Sequence, residues 1–476
     1  MAGWWGVSLA LALPWSAGAL WLRVLSPRPE PGHWPMVIGY GYVLGLIGVT
    51  LVLRLQAAVG LALNLYTSLV LAGLLAVAAG LWRYWQPRSQ DATTEDSSSQ
   101  KGPYWRRVMF GLLLLWLAMR LCGLFLEVRW QPLFPWDAWT TWGLRARVWT
   151  DLQALTPFRS PQDWLADVSG RSYTIDAWYY PVTVSLLATW PALAFGSWNE
   201  SAANLPWAGC AIALGLGFYG QARLWGIRAL ESIVCVWLLM SLPLLDTHVA
   251  LAGYADIWLA SSLGFALMAF LQWLRTADRY QGALSLIFIL ICPLLKREGA
   301  VWAMLFVPAL LIVKLRGYQI LILLLVTVGI GGLIWGIGGV GIDMPGLGPL
   351  WIGSDRFQLP LIGEVHFAHQ GSWEPVFRHL FLYSTWHLLS YLVVLTLAAA
   401  VIVRMRGCAE PWFQAGLIWV LTSLAALYVL FFWTDAYRWA INGVSINRII
   451  LQFVPALVFW IMILWLTPLP RDRARI

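Results

Sequence analysis

Residues 128–181 read VRWQPLFPWDAWTTWGLRARVWTDLQALTPFRSPQDWLADVSGRSYTIDAWYYP. This stretch lies between two strongly apolar regions and is too polar to cross a bilayer. It is also too rich in tryptophan for an ordinary solvated loop, with Trp130, Trp136, Trp139, Trp142, Trp149, Trp164 and Trp178 inside it. Indole rings favour the membrane–water boundary, where the apolar body and the N–H are both satisfied. The segment is therefore read as lying on the membrane surface. Its acids (Asp137, Asp151, Asp163, Asp167, Asp176) and arginines (Arg129, Arg145, Arg147, Arg159, Arg171) are equal in number, so it can order without self-repulsion. Trp139, Trp142, Trp149 and Leu152 recur at helical steps and predict a helix lying flat on the membrane. Asp137 then stands at the helix start. There it can cap the helix or act as a catalytic carboxylate, and one residue can do both.

Working outward, the composition sets the class. The chain has 476 residues, 60% hydrophobic and 11% charged, which is the balance of a polytopic membrane protein. Its net charge of +8 is scattered through short loops. It therefore reads as a topology signal and gives no support to nucleic-acid binding. Cys122, Cys210, Cys235, Cys292 and Cys408 lie in or beside apolar runs with no CxxC spacing, as small core residues do. Residues 1–22 lack a basic n-region and an obvious cleavage site, and read as a first membrane helix.

Apolar runs fall at 4–22, 36–53 and 58–82, and residues 1–86 form an N-terminal accessory group of membrane helices. Residues 87–107, within the polar stretch 83–107 that carries RSQDATTEDSSSQKG, read as a flexible cytoplasmic linker. A core follows over 108–467, with outer loops at 128–202, 338–380 and 434–447 and a basic cytoplasmic tail at 468–476. The run from Tyr180-Pro181 to Phe195 is marginal in length for a span and is read as juxtamembrane or partly inserted. If it does not cross, Arg223/Arg228, Arg275/Arg279, Lys314/Arg316, Arg404/Arg406 and Arg471/Arg473/Arg475 all fall on the side of the linker, which the positive-inside rule makes the cytoplasm. The remaining helices are expected near 108–127, 203–222, 230–247, 256–273, 281–295, 299–313, 318–337, 381–403, 412–433 and 449–467. The fold class expected is an all-α polytopic membrane protein with about 13 transmembrane helices and juxtamembrane helices in the first large outer loop.

One length is informative. The 16 residues between Arg279 and Lys296 make a helix of about 24 Å, against a hydrocarbon core near 30 Å. The next helix is equally short, so Lys296-Arg297-Glu298 should lie below the outer surface. That turn is either solvated or part of a cavity for an anionic ligand, and the second reading is preferred because buried charges need partners. On the same side, Asp256 follows Tyr254-Ala255 as a cap or a second functional acid, and Asp246 and His248 close the preceding helix. Arg438 and Arg448 flank the last outer loop, with Asp435 placed to pair with Arg438. Glu364, His366 and His369 make only a weak metal pattern, without HExxH. No phosphate-cradling glycine loop and no GxSxG occur, so nucleotide hydrolysis and serine-hydrolase chemistry have no support.

These residues together resemble the GT-C superfamily of membrane glycosyltransferases, which take a sugar from a polyprenyl-phosphate donor at the outer membrane face. The resemblance covers about residues 108–467. It rests on Trp136-Asp137-Ala138, Tyr180-Pro181, Tyr254-Ala255-Asp256, Leu295-Lys296-Arg297-Glu298-Gly299 and a late arginine. The nearest flavour is the bacterial set containing lipopolysaccharide-core, aminoarabinose and protein O-mannosyl transferases. The chain departs from it in its single acid at Asp137, its three extra N-terminal helices and its compact 338–379 loop. The resemblance implies an inverting transfer with Asp137 as base and Asp256 as second acid, on the acceptor side. Lys296, Arg297, Arg438 and Arg448 would bind the donor phosphate, supported by Glu298, Tyr180, Tyr254 and Arg145. Metal use is left open: a divalent cation is compatible, and no organic cofactor is expected. Implied partners are a polyprenyl-phosphate-linked sugar, a glycan, lipid or protein acceptor, and membrane lipid. The implied location is a bacterial inner membrane, with the site facing the periplasm. The alternatives are a secondary transporter and an O-antigen ligase or polymerase.

Overall fold

The computed structural model describes residues 3–26, 30–66, 70, 73, 77, 78, 80, 82, 103–131, 133–344, 348–354, 356–359, 363–443 and 445–467. The tail at 468–476 and most of the 87–107 linker lie outside the described residues. Among the described residues, eight helices are long and apolar enough to cross a membrane, or up to nine if one bent pair forms a single span. The chain is therefore a multi-pass helical membrane protein. The bent pair is Ala229–Met240 with Pro243–Ala250, which meet at 66°. Pro243 has no N–H to continue the upstream ladder, so the helix breaks where the sequence suggested one continuous run.

The chain forms two compact units, one of Met1–Ser241 with Leu245–Ser261 and the other of Leu242–Leu244 with Ser262–Ile476. In the first, helices Gly3–Leu25 and His33–Ala58 pack on Thr183–Phe195 and Glu200–Leu224. Buried polar tips find backbone partners across these crossings. The Tyr42 hydroxyl donates to Pro206 O (3.1 Å), and Trp190 Nε1 donates to Ala10 O (2.6 Å). Thr183–Phe195 has only 13 residues, and all but Phe195 are buried. At about 20 Å it is too short to span. Its apolarity is used against protein.

In the second unit, Arg279–Leu295 packs on Glu298–Met304, Phe306–Lys314 packs on Pro411–Trp433, and Trp302 meets Phe453 of Ile446–Leu466 at 4.7 Å. Phe306 meets Phe270 and Trp419 at ring-centroid distances of 5.4 and 5.9 Å. The step between Glu298–Met304 and Phe306–Lys314 has the same cause as the first break, since Pro308 cannot donate to the turn behind it. Gly317–Gly336 buries none of its residues within the chain, as a helix facing lipid does.

Two small sheets lie outside the spans. Strands β1 (Phe158–Arg159) and β2 (Tyr173–Thr174) pair in parallel. Strands β3 (Gly339–Met344), β4 (Gly348–Gly353), β5 (Arg356–Leu359) and β6 (Gly363–His366) form an antiparallel meander in strand order. Hydropathy read this second stretch as a glycine-rich loop. The strands have four to six residues, too few for alternation to stand out from the glycines between them.

Candidate functional site

Two charged turns stand out, one in each unit. The acid turn begins at Pro135, whose carbonyl accepts from the N–H groups of Ala138 (2.9 Å) and Trp139 (3.1 Å). Asp137 already has helical dihedrals, φ −62° and ψ −27°, and its side chain makes no capping bond. Capping therefore does not account for this carboxylate, which stands half-buried in the first turn. Residues Ala138–Trp142 continue as a π-helical turn, a form that recurs at functional sites.

That turn also corrects the expected tryptophan stripe. A π turn holds more residues than an α turn, so it rotates everything downstream. Trp142, Arg145, Ala146 and Trp149 form the buried face, whereas Trp139 and Leu152 are exposed together with Trp136. Trp142 packs edge-on against Tyr180 (5.3 Å), and Trp149 against Phe158 (6.0 Å). Only part of the stripe is available to a membrane surface.

Arg145 is fully buried. Its guanidinium donates to the carbonyls of Tyr180 (3.1 Å), Trp178 (3.0 Å) and Ala177 (3.4 Å), and lies over the Trp149 and Phe158 rings. Burial lowers its pKa to about 10, so it stays cationic at neutral pH. Arg145 therefore fastens the segment that precedes Pro181.

Gly253, three residues before Asp256, packs closely on Ala138, the residue that follows Asp137. Gly253 has φ +107°, and a Cβ there would stand 2.5 Å from the Ala138 Cβ. Only glycine permits this conformation and this approach together. The Tyr254-Ala255-Asp256 turn is thus seated against the residue that follows Asp137. Trp207 Nε1 donates to Tyr254 O (2.6 Å), and the His248 ring lies 5.3 Å from that of Tyr254. Asp256 is fully buried in the first turn of Asp256–Thr276. Asp246, also buried, pairs with Arg120.

The cationic turn is built by close helix return. Helix Arg279–Leu295 stops at Lys296, which is extended at φ −154°, ψ 150°, and Glu298–Met304 begins two residues later. A Cβ on Gly299 would lie 2.1 Å from Cys292 O, so glycine lets the new helix lie directly on the end of the old one. Lys296 is buried and its Nζ pairs with Glu298 Oε1 at 2.7 Å. Four residues on, Trp302 Nε1 donates to Gln452 Oε1 (2.6 Å). Arg448 lies four residues before Gln452 and is buried. On the two helices that this bond joins, Glu298 lies one turn before Trp302 and Arg448 one turn before Gln452. Arg297 Nη1 comes within 3.6 Å of the position a Cβ would take on Gly363 of β6. Glu298 is the acid that pairs with Lys296 in this turn.

An apolar cavity of about 260 Å³ lies along another face of Ile446–Leu466, lined among others by Ile446, Ile450, Phe453, Trp386, Leu389 and Phe431. Arg438 is exposed outside this group, with its pKa raised mainly by a hydrogen bond to the Tyr437 hydroxyl. No ion pair joins it to Asp435 among the described residues. Glu364 pairs with Arg356 (3.1 Å) and approaches His366 (3.6 Å), while His369 packs on Trp433 (5.0 Å). Among the described residues no three His, Cys, Asp or Glu side chains are grouped to hold a metal ion.

Sequence reasoning did not find Gln452, the apolar cavity or the Arg120–Asp246 pair. Arg120 alone carried a signal, because an arginine inside the apolar run 108–127 requires a partner. No protein-family model matches the chain, and no curated protein or solved structure does either.

Proposed function

We propose that the chain is a membrane glycosyltransferase of the GT-C type, moving a sugar from a polyprenyl-phosphate donor to an acceptor at the periplasmic face of a bacterial inner membrane. The observation that carries this reading is the pairing of opposite chemistries around one helix. Ile446–Leu466 contributes the buried cation Arg448, is joined by the Trp302–Gln452 bond to the helix that follows Lys296-Arg297, and also walls an apolar cavity. A phosphate carrying a long hydrocarbon chain has that combination of properties. The finer topology belongs to the same proposal. It has about 13 crossings, which requires the bent pair, the shorter helices Arg279–Leu295 and Leu389–Met405, the pair Glu298–Met304 with Phe306–Lys314, and the apolar run 58–82, largely outside the described residues, to cross as well.

In the proposed reaction the Asp137 carboxylate takes the proton of an acceptor hydroxyl. The acceptor oxygen bonds to the anomeric carbon from the face opposite the phosphate. The bond from that carbon to the phosphate oxygen breaks, and its electron pair leaves on the phosphate. Lys296, Arg297 and Arg448 stabilise the charge that develops there, with Arg297 and Arg448 suited to paired N–H donation. Asp256, buried beside Tyr254, orients the acceptor or a cation. No covalent sugar–enzyme intermediate forms, and the anomeric configuration inverts.

A secondary transporter is the second reading, favoured by the 66° break at residues 241–242 and the charged pair Arg120–Asp246 beside it. Intact-lipid and glycan mass spectrometry of cells with and without the gene tests between them. The transferase reading requires a species that loses the mass of one sugar residue in the deletion. Unchanged glycan and lipid profiles, with proteoliposomes that take up a solute without any lipid-linked sugar, would overturn it.

A further inference from the structure

Helix Tyr104–Trp130 buries only Leu117, Leu124 and Val128, so most of its surface faces outward. Two ion pairs tie it to the broken span. Arg106 pairs with Glu231 near the start of Ala229–Met240, and Arg120 pairs with Asp246 beyond the break. Between Arg107 and Arg120 lie only uncharged residues, 108–119, about 18 Å of helix. From Arg120 to Glu127 the uncharged stretch is about 10 Å. The second pair therefore lies about two-thirds of the way across a 30 Å hydrocarbon core, nearer the end that leads to Asp137.

This pair does not close on itself. The Arg120 side chain is 42% exposed and that of Asp246 is 7% exposed. Arg120 uses Nη2 on Asp246 Oδ2 and makes no other hydrogen bond among the described residues. Asp246 Oδ1 is buried with no partner. An unsatisfied carboxylate oxygen at this depth is costly unless something donates to it. Both side chains line a cavity of about 370 Å³ together with Trp116, Met119, Gly123 and Ser241, within the size range of ligand pockets. Trp116 is held edge-on against Trp237 at 6.0 Å, with part of its surface exposed.

We propose that this cavity binds the hydroxyl-rich headgroup of a membrane lipid. A hydroxyl both donates and accepts, so neighbouring hydroxyls can serve Asp246 Oδ1 and the remaining Arg120 donors together. The C–H face of a sugar or polyol can lie on the Trp116 ring. A phosphate would meet repulsion from Asp246, and an amine from Arg120, so the neutral polar headgroup fits best. The outward-facing wall of Trp116, Met119 and Gly123 opens to the lipid phase, which favours a lipid over a free sugar. On the transferase reading this lipid is the acceptor. Its binding does not depend on that reading.

Native mass spectrometry of the full chain, released from nanodiscs, tests the site. The nanodiscs contain equal amounts of a monohexosyl diacylglycerol, phosphatidylethanolamine and phosphatidylglycerol, with no donor present. The hexosyl lipid should be the one retained. The neutral pair Arg120→Gln with Asp246→Asn should cut that retention about tenfold, because Gln and Asn keep hydrogen bonds to the headgroup but lose their charge assistance. Trp116→Leu, on the exposed wall, should reduce it less and serves as the second variant if the pair does not fold. Equal retention of the three lipids, preference for phosphatidylglycerol, or retention unaffected by Trp116→Leu would overturn the proposal. Turnover is not measured, so a failed transferase assay leaves this result intact, and a failed lipid test leaves the transferase reading intact.

Discussion

Asp137 and Lys296 stand in turns that handle charge in opposite ways. The acid turn leaves its carboxylate half-buried and sets Ala138 against the Gly253 backbone, three residues before Asp256. Around it, backbone carbonyls hold Arg145, Trp142 packs edge-on against Tyr180, and the His248 ring lies tilted against Tyr254. The cationic turn instead buries Lys296 and offsets it with Glu298 two residues away. A carboxylate that must accept a proton works best with access to its acceptor. Cations that must hold a phosphate gain strength as water is excluded.

The sharpest way to break this contrast is to neutralise the acid. Asp137→Asn should lower transfer by a factor of about 100 or more, the range for a lost general base, with insertion and expression unchanged. Wild-type turnover in that variant would remove Asp137 from the chemistry. Next comes the double variant Lys296→Ala with Arg297→Ala. Donor affinity should fall about a hundredfold, as for truncation of buried charge contacts. An unchanged Kd for the polyprenyl-phosphate sugar in a binding assay would show that the turn serves structure alone.

A smaller effect is expected at the fastener. Arg145→Met should destabilise the first unit by about 3 kcal/mol, since several charge-assisted bonds to buried carbonyls are lost. Arg145→Lys should recover little, because an ammonium cannot reach three carbonyls in one plane. Thermal unfolding in detergent measures both, and a Lys variant as stable as wild type contradicts the geometry.

The smallest effect concerns Asp167. Hydrogen bonds from Ser169 and Ser172 lower its pKa to about 2. The loop is therefore supported above the ordinary carboxylate range, and that support fades as pH falls toward 2. Pepsin cleavage within residues 167–172 should speed up between pH 4 and pH 2. Cleavage that keeps a constant rate relative to a peptide control would count against this role.

Hydropathy located most helices within a few residues, because a bilayer demands about 20 apolar residues per crossing and few other patterns supply them. It also marked the break in polarity at Lys296-Arg297-Glu298. It missed the bend at Pro243 because the apolar run continues through it. The tryptophan stripe from 139 to 152 was misassigned in part because a π turn leaves no mark on spacing alone. The role of Arg145 was hidden too, since its partners are backbone carbonyls, which every residue carries.

The order of residues by itself determined that this chain enters a membrane many times and where its acids and cations cluster. Those are properties of local composition, set by the cost of placing charge or unpaired backbone in hydrocarbon. Only tertiary structure decided which aromatic rings turn inward and that Gly253 seats beside Ala138. It also decided that one face of Ile446–Leu466 carries Arg448 while another walls an apolar cavity. Such pairings depend on contacts between segments distant in the chain, and no window of sequence holds both partners.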